Sequence, residues 1–73
     1  MKYIIKTTGL MCGHCEANVE SHLLEVSGVT DAEASHETNT VEVECSDDVT
    51  PDQLRAAVTA ASEKYGVLEI AAA

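Results

Sequence analysis

A chain of 73 residues has room for one domain and none for a second. Folding at this size buries only about 60% of the unfolded surface, and Tyr3 and Tyr65 are the only aromatic residues, so the core has to come from Val, Leu, Ile and Ala, which excludes a deep enzyme-type pocket. The formal net charge of -9 has the wrong sign for nucleic acid or an anionic membrane, and no segment is apolar enough for a signal peptide or a membrane span.

In chain order, residues 2–8 are rich in β-branched residues and Tyr and read as a strand. Residues 9–15 form a loop running into a helix. Over residues 15–26, Val19, Leu23 and Val26 are spaced by four and three, one face of an amphipathic helix. Ser27-Gly28 stops that helix, with Gly28 as a left-handed cap. Residues 29–35 alternate weakly, with Ala32 and Ala34 on one face. Glu37-Thr38-Asn39 reads as a turn. Residues 40–45 alternate cleanly, Val41, Val43 and Cys45 against Glu42 and Glu44, a half-buried strand. Thr50 and Pro51 fit the N-cap and first position of a second helix, with Leu54, Val58 and Ala61 as its apolar stripe. Gly66 breaks the chain, residues 67–70 make a last strand, and residues 71–73 are expected to fray. The order βαββαβ is that of the ferredoxin-like α+β sandwich, two helices on one face of a four-stranded antiparallel sheet. No repeat or linker divides it, so residues 1–73 are expected to form a single domain.

The acidic residues are spread along the chain and read first as a solvated face, then as a surface that steers toward a basic partner. The N-terminal apolar run ends at Lys6, so a cytosolic location is expected, and the start at Met1 favours a free-standing protein. Of three cysteines only two are close together, which is no secreted disulfide framework. In a reducing compartment such a pair reads as a metal or a redox site.

Two thiolates separated by two residues, as in Cys12-Gly13-His14-Cys15, can point at one ion. The spacing works best when the second lies in a first helical turn, where unpaired N–H groups and the helix dipole favour thiolate. Soft sulfur ligands suit Cu(I) and Zn(II). A structural zinc site takes four protein ligands, and the chain has no second Cys pair and no Cys or His partner at finger spacing. Cu(I), content with low coordination, therefore fits best. The same four letters also form the redox motif of thioredoxin-like disulfide isomerases, so a thiol-disulfide oxidoreductase is the second reading. Against it stand the short chain, the lack of Trp, and a single proline, Pro51, explained as a helix start. A purely structural domain with incidental cysteines is the third. His14 is read as an exposed loop histidine pointing away from the ion, the alternative being a third ligand or a protonatable neighbour. Cys45 is read as core packing. Glu16 is read as complementing the helix N-terminus, with help to a harder ion as the alternative. His22 is expected at the surface and His36 partly buried beside the turn, neither as a ligand.

The run Gly9-Leu10-Met11-Cys12-Gly13-His14-Cys15 after a first strand, followed by an amphipathic helix ending at Ser27-Gly28-Val29, strongly resembles the heavy-metal-associated domain over residues 2–70. That family includes bacterial copper chaperones, mercury-binding proteins and modules of metal-pumping ATPases. The resemblance implies the ferredoxin-like fold and a metal held by Cys12 and Cys15. It also implies handover of the ion to a partner domain, expected to be a metal-transporting ATPase or another acceptor. The chain is expected to act as a monomeric carrier without catalysis, with Cu(I) as the metal and Zn(II) or Hg(II) as alternatives. Zinc-preferring relatives often carry an acidic residue before the first cysteine, where this chain has Met11. The family usually reads Gly-Met-x-Cys; here Leu10 takes the buried Met position, a swap that usually costs little, and Met11 is expected to face solvent rather than act as a thioether ligand. The resemblance also sets Lys64 and Tyr65 beside the site, Tyr65 shielding the ion and Lys64 offsetting its negative charge. An ordinary helix-to-strand turn is the equal alternative.

Overall fold

The computed structural model describes the chain except Cys12 and Glu63. Alternation builds the sheet. In β1 (Lys2–Thr8), Tyr3, Ile5 and Thr7 are buried; in β3 (Thr40–Cys45), Val41, Val43 and Cys45 are buried while Glu42 and Glu44 face water. The register sets Tyr3 opposite Val43 and Ile5 opposite Val41, so the apolar side chains share one face. β2 (Val29–Ser35) brings Ala32 and Ala34 against Val43 and Val41 from the other side. With β4 (Gly66–Ala72) beside β1, the antiparallel order is β2-β3-β1-β4.

Two helices meet the apolar face. α1 (Gly13–Leu24) buries Cys15, Val19 and Leu23, one residue per turn, and α2 (Pro51–Ala61) buries Leu54, Ala57 and Val58. Ile5, Val19, Leu23, Val41, Val43, Leu54 and Val58 are sealed from water at the centre. α2 starts as expected. Thr50 Oγ1 accepts from the Gln53 N–H at 3.3 Å, Gln53 Oε1 accepts from the Thr50 N–H at 2.8 Å, and Pro51 opens the helix. This is the ferredoxin-like fold. No helix among the described residues is long and apolar enough to cross a membrane.

Several boundaries differ from the sequence reading; β4 already starts at Gly66, which pairs with Thr8, rather than at residue 67. α1 runs from Gly13 to Leu24, earlier at both ends than the residues 15–26 expected. The Val26 N–H turns back to the Leu23 carbonyl at 3.0 Å, and Val29 to Val26 at 3.1 Å, so Val26 packs against the core from a turn. Gly28 is left-handed, φ 97, but within that turn rather than as a cap next to the helix. A Cβ there would meet Ser46 Oγ at 2.6 Å and Val49 Cγ2 at 2.7 Å. Residues 71–73 do not fray. Ala71 and Ala72 pair with Ile4 and Tyr3, and the Ala73 N–H donates to the Lys2 carbonyl at 2.8 Å. Alanine carries little strand signal of its own; the unpaired edge of β1 supplies the ladder that orders it.

Candidate metal centre

Cys15 is the third residue of α1 and the first member of its buried stripe, and 7% of its surface is exposed. The stripe leaves the core at this turn, so the thiol stands where core meets solvent. It lines a shallow groove of about 500 Å³ with His14, Asn18, Lys64 and Tyr65. Three of the four residues expected around the cysteines are thus gathered in one place with Cys15. The fourth, Met11, is 76% exposed and lies outside the groove lining. Cys12 lies outside the described residues. His14 is exposed, as expected, but it belongs to the first turn of α1 rather than a loop and lines the groove with Cys15, and Leu10 is buried where the family carries Met.

Tyr65 is almost fully buried, with Lys64 Nζ 5.9 Å from its ring centroid, the outer limit of a cation–π contact. The segment bearing them follows α2 through a tight turn, in which the Tyr65 N–H donates to the Ser62 carbonyl at 3.3 Å. Opposite it, Gly9 has φ 91, and a Cβ at Gly9 would collide with the Lys64 carbonyl and stand 3.4 Å from Tyr65 Cδ1. Glycine at this position lets the loop that follows β1 and the loop bearing Lys64 and Tyr65 approach backbone to backbone.

The remaining support comes from Glu16, already singled out, and from residues that sequence reasoning did not place at the site. Asn39 has φ 53. Its carbonyl accepts from the Thr7 N–H at 2.8 Å and from Thr7 Oγ1 at 3.0 Å, and its Oδ1 accepts from the Leu10 N–H at 3.2 Å. Glu16 Oε2 accepts from the His36 N–H and is 2.7 Å from His36 Nδ1, and Glu20 Oε2 accepts from the Ala34 N–H at 2.8 Å. Both carboxylates thereby cap outward N–H groups along the β2 edge of the sheet and beyond its end, a way of blunting an open edge. The backbone N–H and then the ring of His36 hold the Glu16 carboxyl below the usual carboxylate range. The expected role of Glu16 at the helix N-terminus is therefore joined by a bond to a neighbouring turn. Asn18 Nδ2 donates to the Ala61 carbonyl at 3.1 Å, tying α1 to the end of α2 beside the groove. An Asn in a three-residue polar turn was the one available signal, since Asn tolerates left-handed backbone.

Other candidates lie elsewhere. Cys45 is buried at the end of β3 as packing. His36 is half-buried, as expected, and His22 is half-buried at the surface, lining an open groove against α2. Among the described residues no three His, Cys, Asp or Glu side chains converge on a point that could hold a metal. On the open sheet face Glu33 stands opposite Glu42 and Asp31 opposite Glu44, with Lys2 Nζ 2.7 Å from Glu42.

Residues 4–64 match the family model of the heavy-metal-associated domain. A copper chaperone CopZ of Staphylococcus epidermidis is 41% identical over 56 residues, 75% of this chain and 82% of that one. The copper chaperone CopZ of Staphylococcus aureus is 43% identical over 44 residues, and that match spans 60% of this chain and 65% of its length. Among solved structures, a CopZ metallochaperone superposes with a TM-score of 0.86 at 33% identity, covering 93% of this chain and all of the other. A copper-binding domain from a P-type ATPase superposes with a TM-score of 0.87 at 26% identity, covering 97% of this chain and 93% of that domain.

Proposed function

The chain belongs to the heavy-metal-associated domain family, and from that premise we propose that it carries one Cu(I) ion between Cys12 and Cys15 and passes it to a metal-transporting ATPase or a similar acceptor. The observation that carries this reading is the position of Cys15, in the first turn of α1, at the rim of the core, in a groove shared with Lys64 and Tyr65. Unpaired N–H groups and the dipole at a helix start favour thiolate over thiol. A soft sulfur donor suits Cu(I), and a pair of such donors satisfies an ion of low coordination. The names of the similar proteins, two copper chaperones and a copper-binding domain of a P-type ATPase, support copper over zinc or mercury.

The transfer chemistry is exchange of one sulfur bond for another. A thiolate of the acceptor forms a bond to the bound ion while both original sulfurs still hold it; one original Cu–S bond then breaks, and a second acceptor thiolate bonds the ion as the remaining original Cu–S bond breaks. No electron is transferred and no bare ion forms. The groove is shallow enough for an incoming thiolate to approach Cys15, while the buried Tyr65 ring beside it limits water. Lys64 offsets the negative charge of a dithiolate complex. This makes the protein a carrier rather than an enzyme, working in the cytosol.

Its net charge of -9 favours an acceptor with a basic docking face. Rim charges act chiefly on encounter rate, so docking is expected to be fast, weak and salt-sensitive. The test is to load the protein with Cu(I), mix it with a copper-ATPase metal-binding domain, and follow transfer at low and high salt. Transfer faster than release into a chelator, and slowed by salt, is the expected result. A transfer rate equal to that of free release would make the protein a metal buffer instead.

A further inference from the structure

We infer that the turn between β2 and β3 is a clasp on the metal loop, with Asn39 and His36 as its positioning residues. The inference rests on the carrier reading above and adds the device that holds its site in shape. Two residues three apart in this turn grip two residues six apart on either side of the cysteine pair, Leu10 in the loop and Glu16 in the first turn of α1. Asn39 Oδ1 takes the Leu10 N–H at 3.2 Å, ahead of Cys12; the N–H and ring of His36 take the Glu16 carboxylate, just after Cys15. Both cysteines fall between the two grips.

The Asn39 arm is anchored at its base. Thr7, 3% exposed, gives both its N–H and its hydroxyl to the Asn39 carbonyl. The left-handed backbone of Asn39, φ 53, then directs the side chain across to Leu10. Leu10 is itself 4% exposed, so its N–H lies in a part of the loop that is packed against the core. A buried N–H without an acceptor is costly, and Asn39 supplies the acceptor from a distant part of the sequence. The consequence is preorganisation. A loop already fixed at both ends loses less conformational freedom when two thiolates close on an ion, so more of the sulfur–metal interaction appears as affinity.

The test measures Cu(I) affinity anaerobically, by competition with a chromophoric Cu(I) chelator at high salt, together with amide exchange of Leu10 in the apo protein. Asn39→Gly keeps the left-handed turn and deletes the acceptor. It should weaken Cu(I) binding about five-fold, the worth of one ordinary hydrogen bond, and speed Leu10 exchange. Asn39→Asp keeps an acceptor oxygen in a residue that tolerates left-handed backbone. It should restore affinity to within about two-fold of wild type, high salt screening its added charge. Adding His36→Ala to Asn39→Gly removes the ring contact to Glu16 while the backbone N–H of residue 36 stays in place, and should deepen the loss to about ten-fold, since the Asn39 and His36 contacts are separate hydrogen bonds. Thr50→Ala, which removes the α2 cap without touching the loop, should lower Tm and leave Cu(I) affinity unchanged. The clasp is overturned if Asn39→Gly binds as tightly as wild type, if Asn39→Asp is as weak as Asn39→Gly, or if Thr50→Ala loses as much affinity. A wild-type protein that fails to take up one Cu(I) per chain would overturn the carrier reading instead.

Discussion

Replacing Gly9 with alanine puts a methyl group where two loops meet. Gly9 has φ 91, a region that costs an L-residue about 1–2 kcal/mol. The new Cβ would also overlap the Lys64 carbonyl and stand 3.4 Å from Tyr65 Cδ1. Those neighbours are a backbone group and the ring of a buried tyrosine, so relief requires moving one loop off the other, at about 1–2 kcal/mol more. The expected loss is about 2–4 kcal/mol, against a total stability of about 4–11 kcal/mol for a chain of this length. At about 4–8 °C per kcal/mol, Tm should fall by about 8–32 °C. Gly13→Ala is the matched control on the other side of Cys12. A Cβ there meets nothing within 4 Å, and the residue is already in α1. Alanine is the better helix former, by up to about 1 kcal/mol. Its Tm should hold or rise by a few degrees. Circular-dichroism melts of the reduced apo proteins decide it. A Gly9→Ala melt close to wild type, or a Gly13→Ala melt lowered as far, would refute the close-approach argument.

Cys45→Ala should cost about 1 kcal/mol through lost buried volume and leave Cu(I) affinity unchanged, measured by urea unfolding and chelator competition; a large affinity loss would contradict its role as packing. The Ser46 hydroxyl, 2.5 Å from Asp48 Oδ1, and then the Asp48 backbone N–H hold the Asp48 carboxyl below its usual range. A lowered folded pKa gives stability that is complete above the ordinary carboxylate value and is lost as pH falls through the folded one. Asp48→Asn should therefore be less stable than wild type at neutral pH, with the gap closing in acid. A gap that stays constant from pH 7 to about pH 3, below the ordinary Asp value, would contradict that.

What the sequence showed most clearly was whatever repeats with a period. Val41-Glu42-Val43-Glu44-Cys45 could only be a half-buried strand, and the spacing of Val19 and Leu23 located the inner face of α1. Thr50 and Pro51 marked the start of α2 because capping chemistry is local. The ends of elements were harder. Val26 keeps the helical spacing yet leaves the helix, because its N–H bonds three residues back and its side chain still reaches the core. Ala71 and Ala72 have no pattern, and only the facing edge of β1 decides their structure. At the site, Lys64 and Tyr65 were found through family resemblance; nothing in their spacing alone places them beside Cys15. The bonds from Asn39 to Leu10 and from His36 to Glu16 join residues 29 and 20 positions apart. They depend on sheet register and helix placement together, which no local rule of sequence supplies.

The central claim is that two thiolates hold one Cu(I). An anaerobic titration of the reduced protein with Cu(I) against a competing chelator, repeated with Zn(II), tests it most directly. Wild type should bind one Cu(I) per chain and prefer it to Zn(II). Cys12→Ser and Cys15→Ser should each lose tight binding, because a single thiolate leaves a two-coordinate ion half satisfied. Tight one-to-one binding of Cu(I) by the double variant would contradict the account.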